Sequence, residues 1–205
     1  MKYFTILLIL LYAVPGFAQK DTSLSYDARE IKKLYILTEE VFKINLKTSK
    51  TKSIILTSHS EGEYYNDISL EMSVRQDQMI LSSNFPSQLQ GGYDKLSAHK
   101  VFSMEITLEI PEGMEVYVRS NMASLTGSGT YKYLEAELRS GYCNLVNFKG
   151  NALVNTYSGG IEIETSNASI AASSRSGKVT LPVNLSGEHK IEIWSITGDI
   201  SVREN

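Results

Sequence analysis

Between residues 119 and 202 the chain repeats itself five times, and this recurrence limits the folds open to it more than any other feature. The segments are Arg119-Ser120-Asn121-Met122-Ala123-Ser124-Leu125, Arg139-Ser140-Gly141-Tyr142-Cys143-Asn144-Leu145, Tyr157-Ser158-Gly159-Gly160-Ile161-Glu162-Ile163, Arg175-Ser176-Gly177-Lys178-Val179-Thr180-Leu181 and Ile196-Thr197-Gly198-Asp199-Ile200-Ser201-Val202. Aligned on Asn121, Gly141, Gly159, Gly177 and Gly198, they lie 20, 18, 18 and 21 residues apart. Seven residues upstream stand Met114, Leu134, Ala152, Ile170 and Ile191, and five upstream Val116, Ala136, Val154, Ala172 and Ile193. Two downstream stand Ala123, Cys143, Ile161, Val179 and Ile200, and four downstream Leu125, Leu145, Ile163, Leu181 and Val202. All twenty positions are apolar, and the residues between them are mostly polar.

Each repeat therefore predicts a strand, a Ser-Gly corner and a second strand. Gly suits a corner that calls for positive φ, and Asn121 is the next most tolerant residue. One repeat cannot bury its apolar side alone; stacking at about 4.8 Å per rung builds inward ladders and satisfies the backbone. The expectation is an all-β chain with a parallel β-helix (β-solenoid) of about five rungs over 114–205, right-handed by analogy with parallel crossovers. A meander of antiparallel hairpins is the competing arrangement.

Residues 19–113 read as further strands. Phe42-Ile44-Leu46, Ile68-Leu70-Met72-Val74 and Phe102-Met104-Ile106-Leu108-Ile110 alternate with polar residues, each putting one face inward. Shorter candidates are Leu34–Leu37, Ile54–Thr57 and Met79–Ser82. Residues 27–40 have a composition that also suits a helix, but the short apolar run Leu34–Leu37 favours a strand. Turns are expected at Glu61-Gly62-Glu63 and at Ile110-Pro111-Glu112-Gly113, the latter of type I, and a long polar loop over 84–99. The region is expected to be mixed or antiparallel, packed at the N-terminal end of the solenoid within one domain, 19–205.

The chain opens with Met1-Lys2, an apolar run from Phe4 to Val14, and Gly16 and Ala18 at −3 and −1 of a cleavage site. This pattern predicts a signal peptide over 1–18; the run is short of the roughly 20 residues of a membrane span. Its removal takes Lys2 and moves the formal charge from −3 to −4. That balance gives no reason to expect nucleic acid as a partner. The single cysteine, Cys143, allows no intrachain disulfide.

RSGYCNL, YSGGIEI, RSGKVTL and ITGDISV, behind such a leader and an alternating first half, resemble the exported DUF4097 family and the related head domains of auto-transporter adhesin-like proteins. The resemblance spans about residues 35–203 and is clearest over 114–203. It implies a β-helical envelope protein of Gram-negative bacteria, periplasmic or at the cell surface, and brings no catalytic residues with it.

The residues themselves suggest little chemistry. Cys143 falls in an inward ladder, where a small apolar filler belongs. His59, His99 and His189 lack metal-ligand spacing, and no cofactor motif occurs. Ser120, Ser140, Ser158 and Ser176 recur as corner residues outside any G-x-S-x-G context. Glu135, Glu137, Glu162 and Glu164 point outward, and paired carboxylates along a groove would make a glycan-active hydrolase or lyase. The preferred reading is a non-catalytic, adhesin-like protein that binds or scaffolds an envelope glycan or protein. Its expected face carries Arg119, Arg139, Tyr157 and Arg175 in one column and Tyr117 and Trp194 in the next. The 84–99 loop, with Tyr93, Asp94 and Lys95, is a second candidate. The last rung would expose a strand edge at the C-terminus, suited to a second copy of the chain.

Overall fold

A computed structural model describes residues 19–62, 69–84 and 102–205. The predicted signal peptide and the loop residues Tyr93, Asp94 and Lys95 lie outside the described residues. Alternation becomes strand throughout: β1 (Gln19–Asp27), β2 (Lys33–Thr38), β3 (Lys43–Ser49), β4 (Ser53–Gly62), β5 (Ser69–Arg75), β6 (Gln78–Asn84), β7 (Phe102–Pro111), β8 (Glu115–Ser120), β9 (Ser124–Leu138), β10 (Cys143–Thr156), β11 (Ile161–Thr165), β12 (Ala168–Ser174), β13 (Val179–Thr180), β14 (His189–Ser195) and β15 (Ile200–Glu204). No described residue is helical. Leu34 and Ile36, in the segment whose composition also suits a helix, are fully buried on β2.

The strands form one open 15-stranded sheet. Its two wings are joined because β9 and β10 are long enough to serve in both. One wing runs β5-β6-β2-β8-β9-β10-β14-β12, the other β1-β4-β7-β3-β9-β10-β11-β15-β13. β9 turns from one wing to the other at Gly129 (φ +104°) and β10 at Gly150 (φ +133°). An L side chain disfavours that backbone, so Gly is required there. Inward residues of both wings belong to a single buried cluster, in which Phe148 stacks on Tyr131 at 5.4 Å.

Pairing among the repeats is parallel, not the antiparallel meander, and from β8 to β11 partners are 18 residues apart: Val116 with Leu134, Leu134 with Ala152, Leu125 with Cys143 and Cys143 with Ile161. The first repeat therefore sits two residues away from its expected register. Gly141 stacks on Ala123 rather than on Asn121. Slipping a strand by one residue exchanges its faces, but slipping it by two leaves the alternation intact. Periodicity alone thus accepts either alignment.

The corner glycines serve a purpose different from the expected one. Gly141, Gly159, Gly177 and Gly198 do not have positive φ. They are required by close approach: a Cβ on Gly159 would lie 1.7 Å from Gly141 O, and one on Gly198 would lie 1.9 Å from Gly159 O. Hydroxyls fasten the same corners. Ser120 Oγ accepts from Ala123 N (3.0 Å) and Ser195 Oγ from Gly198 N (2.9 Å), and Thr156 Oγ1 donates to Gly159 O (2.7 Å).

The order of the levels also departs from expectation. β14 and β15 lie between the third and fourth repeats: β14 pairs with β10 and β12, and β15 with β11 and β13. The C-terminal repeat is internal, and the free edge belongs to β12 and β13. Burial agrees. Of the twenty aligned apolar residues, only Ile170, Ala172, Val179 and Leu181 are not buried, and all four belong to the fourth repeat.

The first half joins the stack instead of packing at its end. β2 pairs in parallel with β8 and β6, and β3 with β9 and β7. Among the described residues, antiparallel pairs occur only at the margin, as β5–β6, β4–β7 and β1–β4. Met72 is half-buried and Val74 exposed on β5, which has one neighbour among the described residues. Phe42, expected inward, precedes β3 and is 39% exposed, while Val41 takes the buried position. Gly62 ends β4, and a turn occupies Glu112-Gly113. Gly113 N donates to Thr130 O (3.0 Å) instead of closing a type I turn onto Ile110.

A charged clamp fixes β1. His59 Nδ1 meets Asp21 Oδ1 at 2.6 Å and Nε2 meets Glu61 Oε1 at 2.7 Å. Hydrogen bonds to Glu61 and Asp21 push the imidazole up to about 9. Glu105 of β7 stands opposite His59 in the ladder and pairs with Lys43 at 3.3 Å. A raised pKa contributes stability that is complete below about 6.5, the unfolded value, and is lost as pH rises through about 9. Amide exchange in β1 is accordingly expected to accelerate between pH 7 and 10 beyond the intrinsic base-catalysed rise, and His59→Gln to remove that excess.

Candidate functional site

The outer face of the β8–β9–β10–β14 wing carries most of the residues singled out from sequence. Outward positions on a ladder stack into columns, so the register decides which side chains meet. One column runs Leu37, Arg119, Glu137, Asn155, Trp194 and Ser173. The adjoining corner column runs Arg139, Tyr157, Ile196 and Arg175, fixed by backbone bonds from Arg139 N to Ser120 O (3.0 Å), Tyr157 N to Leu138 O (3.0 Å) and Ile196 N to Thr156 O (3.2 Å).

Between these columns lies an open groove of about 490 Å³, lined by Arg119, Glu137, Arg139, Asn155, Tyr157 and Trp194 among others. Trp194 is 48% exposed and Tyr157 57% exposed. Trp194 stands on β14 beside fully buried Ile193, and Tyr157 lies in the corner just beyond β10, so both rings open outward from buried ladders. The two-residue shift in the first repeat changes the electrostatics. Arg119 stands beside Glu137, not Arg139, and its guanidinium pairs with that carboxylate at 2.7 Å. Arg139 is exposed and has no ion-pair partner among the described residues.

Four of the six face residues, Arg119, Arg139, Tyr157 and Trp194, thus meet at one groove. Arg175 lies beyond Ile196 on the outermost level. Tyr117 lies one column away, stacked on Tyr35 at 4.7 Å and 11°, with Tyr133 at 5.9 Å. Burial, with a hydrogen bond to Glu115, pushes its hydroxyl up to about 12. Tyr35 and Tyr133 were not singled out from sequence. Each stands next to an inward leucine, Leu34 and Leu134 respectively, and so points outward, but only the register brings their rings together.

The carboxylates do not gather. Glu135 and Glu137 lie on one wing and Glu162 and Glu164 on the other. Glu137 is paired with Arg119, and Glu135 accepts from Tyr133 Oη (3.1 Å). Cys143 is fully buried in the inward ladder, and burial pushes its thiol up to about 12. No group of three or more His, Cys, Asp or Glu side chains suited to a metal occurs among the described residues.

No family model matches the chain, nor does any curated protein. The likeness to the DUF4097 family is therefore one of repeat pattern. Solved structures are more informative. A candidate cell adhesion protein from Clostridium sporogenes is 16% identical, with a TM-score of 0.65 over 91% of this chain and 100% of that one. It shares the fold. A candidate adhesin from Bacteroides fragilis is 12% identical over 90% of this chain and 97% of its own, with a TM-score of 0.33. A candidate lipid binding protein from Parabacteroides distasonis is 12% identical over 92% and 98%, with a TM-score of 0.32. Scores this low carry no argument about the fold.

Proposed function

We propose that this chain is an exported, non-catalytic protein of a Gram-negative cell envelope that binds an anionic envelope glycan, in the manner of an adhesin, through the Trp194–Tyr157 groove. The supporting observation is the exposure of both rings beside Arg139, which has no ion-pair partner among the described residues. Aromatic planes offer contact area at little entropic cost, and a guanidinium accepts a carboxylate or sulfate in a fixed fork. A right-handed β-solenoid is the reading that best fits parallel levels 18 residues apart, and it would hold these groups at a constant spacing. The signal peptide pattern supports export, and the fold shared with a candidate cell adhesion protein supports the binding role. The glycan-cleaving alternative has no geometric support, its carboxylates being divided between the wings.

The test is binding of the chain to an array of acidic and neutral glycans. Trp194→Ala with Tyr157→Ala is expected to weaken binding on the order of 30-fold or more, as central aromatic contacts do, with an unchanged far-UV spectrum. Arg139→Ala is expected to lose acidic glycans selectively. Binding that survives the double substitution would move the site away from this groove.

A further inference from the structure

The two ends of the stack are finished differently. At the N-terminal end β6 is covered by antiparallel β5, and β7 by β4 and then β1. At the other end, among the described residues, β12 pairs only with β14, and β13 only with β15. His189 N bonds Asn167 O (3.1 Å) and Arg175 N bonds Ser195 O (3.0 Å), so odd-numbered residues of β12 face β14. The peptide groups of Ala168, Ile170, Ala172 and Ser174 face the opposite way, and no described residue pairs with them.

Sheet edges open to solvent are normally protected by charge, proline or a bulge. β1 carries Lys20, Asp21 and Asp27, and β5 carries Glu71 and Arg75. β12, Ala-Ser-Ile-Ala-Ala-Ser-Ser, has no charge, no proline and an unbroken register. Beside it the end of the core is only partly covered: Leu185 packs against the core, while Val179 and Leu181 are exposed and Val183 is 95% exposed.

The sequence of this edge is complementary to itself. In an antiparallel pairing centred on Ala171, Ala168 meets Ser174 and Ile170 meets Ala172, the four residues whose peptide groups are free. Ala171 then faces its own copy as a non-hydrogen-bonded pair. Arg175, unpaired among the described residues, arrives at the far end of the other strand. There Glu188, also unpaired, donates its N–H to Asn167 Oδ1 (3.3 Å). A parallel pairing would instead set Arg175 against Arg175. We propose that two copies of this chain join end to end through β12 about a two-fold axis at Ala171, making one continuous double-length stack. The groove lies on the outer face of the same wing, so the dimer would present two grooves to one ligand.

Sedimentation equilibrium of the purified chain is expected to give a dimer at tens of micromolar. Ala171→Lys, which sets like charges across the axis at an exposed position, is expected to give a folded monomer. Ala171→Cys is expected to form a reducible dimer on mild oxidation, since Cα atoms in such a pair stand about 4.5 Å apart, within disulfide reach. Cys143 is buried and does not compete. A wild-type chain that stays monomeric would overturn the proposal, as would a dimer that Ala171→Lys leaves intact or an Ala171→Cys variant that fails to cross-link.

Discussion

A chain ending at Gly187 is expected to lose two repeats, not one. Among the described residues, β14 is the sole partner of β12, and β15 the sole partner of β13. Removing the C-terminal repeat therefore strands the fourth as well, and exposes Ala152, Val154, Ile161 and Ile163 of the third, which β14 and β15 pair with. It also deletes Ile191, Ile193, Ile200 and Val202, all essentially fully buried. At about 1.5–3 kcal/mol for each such side chain, the loss is comparable with the whole stability of an ordinary domain. A chain ending at Asn167 lacks the stranded strands β12 and β13 and is expected to be the better behaved of the two, though shorter. Amide exchange and limited proteolysis distinguish the outcomes. Protection persisting across 168–180 in the Gly187 chain would mean that the repeats stack in chain order after all.

Gly159→Val is the second large effect expected. The added Cβ would lie 1.7 Å from Gly141 O, a backbone atom of the level beneath that cannot swing aside. The corner must open, and with it the bond from Thr156 Oγ1 to Gly159 O. A loss of at least about 4 kcal/mol is expected, the range reserved for a broken structural element. Gly160→Ala is the control. Its nearest neighbour, Asp199 O, is 3.5 Å from the built Cβ, an ordinary contact, and a change within about 1 kcal/mol is expected. Paired urea melts would show the difference directly. Equal effects would mean that the two glycines are needed for backbone freedom, not for close approach.

These two expectations mark where sequence reading succeeds and where it stops. Alternation identified the inward ladders because burial on a strand has a period of two, and Leu134, Val154, Ile161 and Ile193 are buried as that period requires. The groove was half legible for the same reason: Trp194 lies between inward Ile193 and Ser195, and Tyr157 follows inward Thr156, so both rings had to point outward. The pairing of Arg119 with Glu137 was not legible. Met114, Val116 and Val118 are all apolar, so a two-residue slip leaves the pattern unchanged while exchanging the neighbours of every outward side chain. The interposed C-terminal repeat left no local trace either. Its residues suit any level of the stack, and only the pairing of β14 and β15 on both sides, with the loss of burial at Ile170, Ala172, Val179 and Leu181, reveals that the fourth repeat lies outermost.

The interposed repeat also sets a timetable. Most stacked repeats can close one after another as the chain emerges with its N-terminus first, each new unit settling on the last. Here the fourth repeat finds no seat when it appears, because the surface it needs is made by residues 189–204. It must wait, unpaired, until residues 189–204 have been delivered. A polypeptide interrupted before those residues is thus left with loose, uncharged β-segments, the kind of unpaired edge that invites proteolysis and wrong pairing.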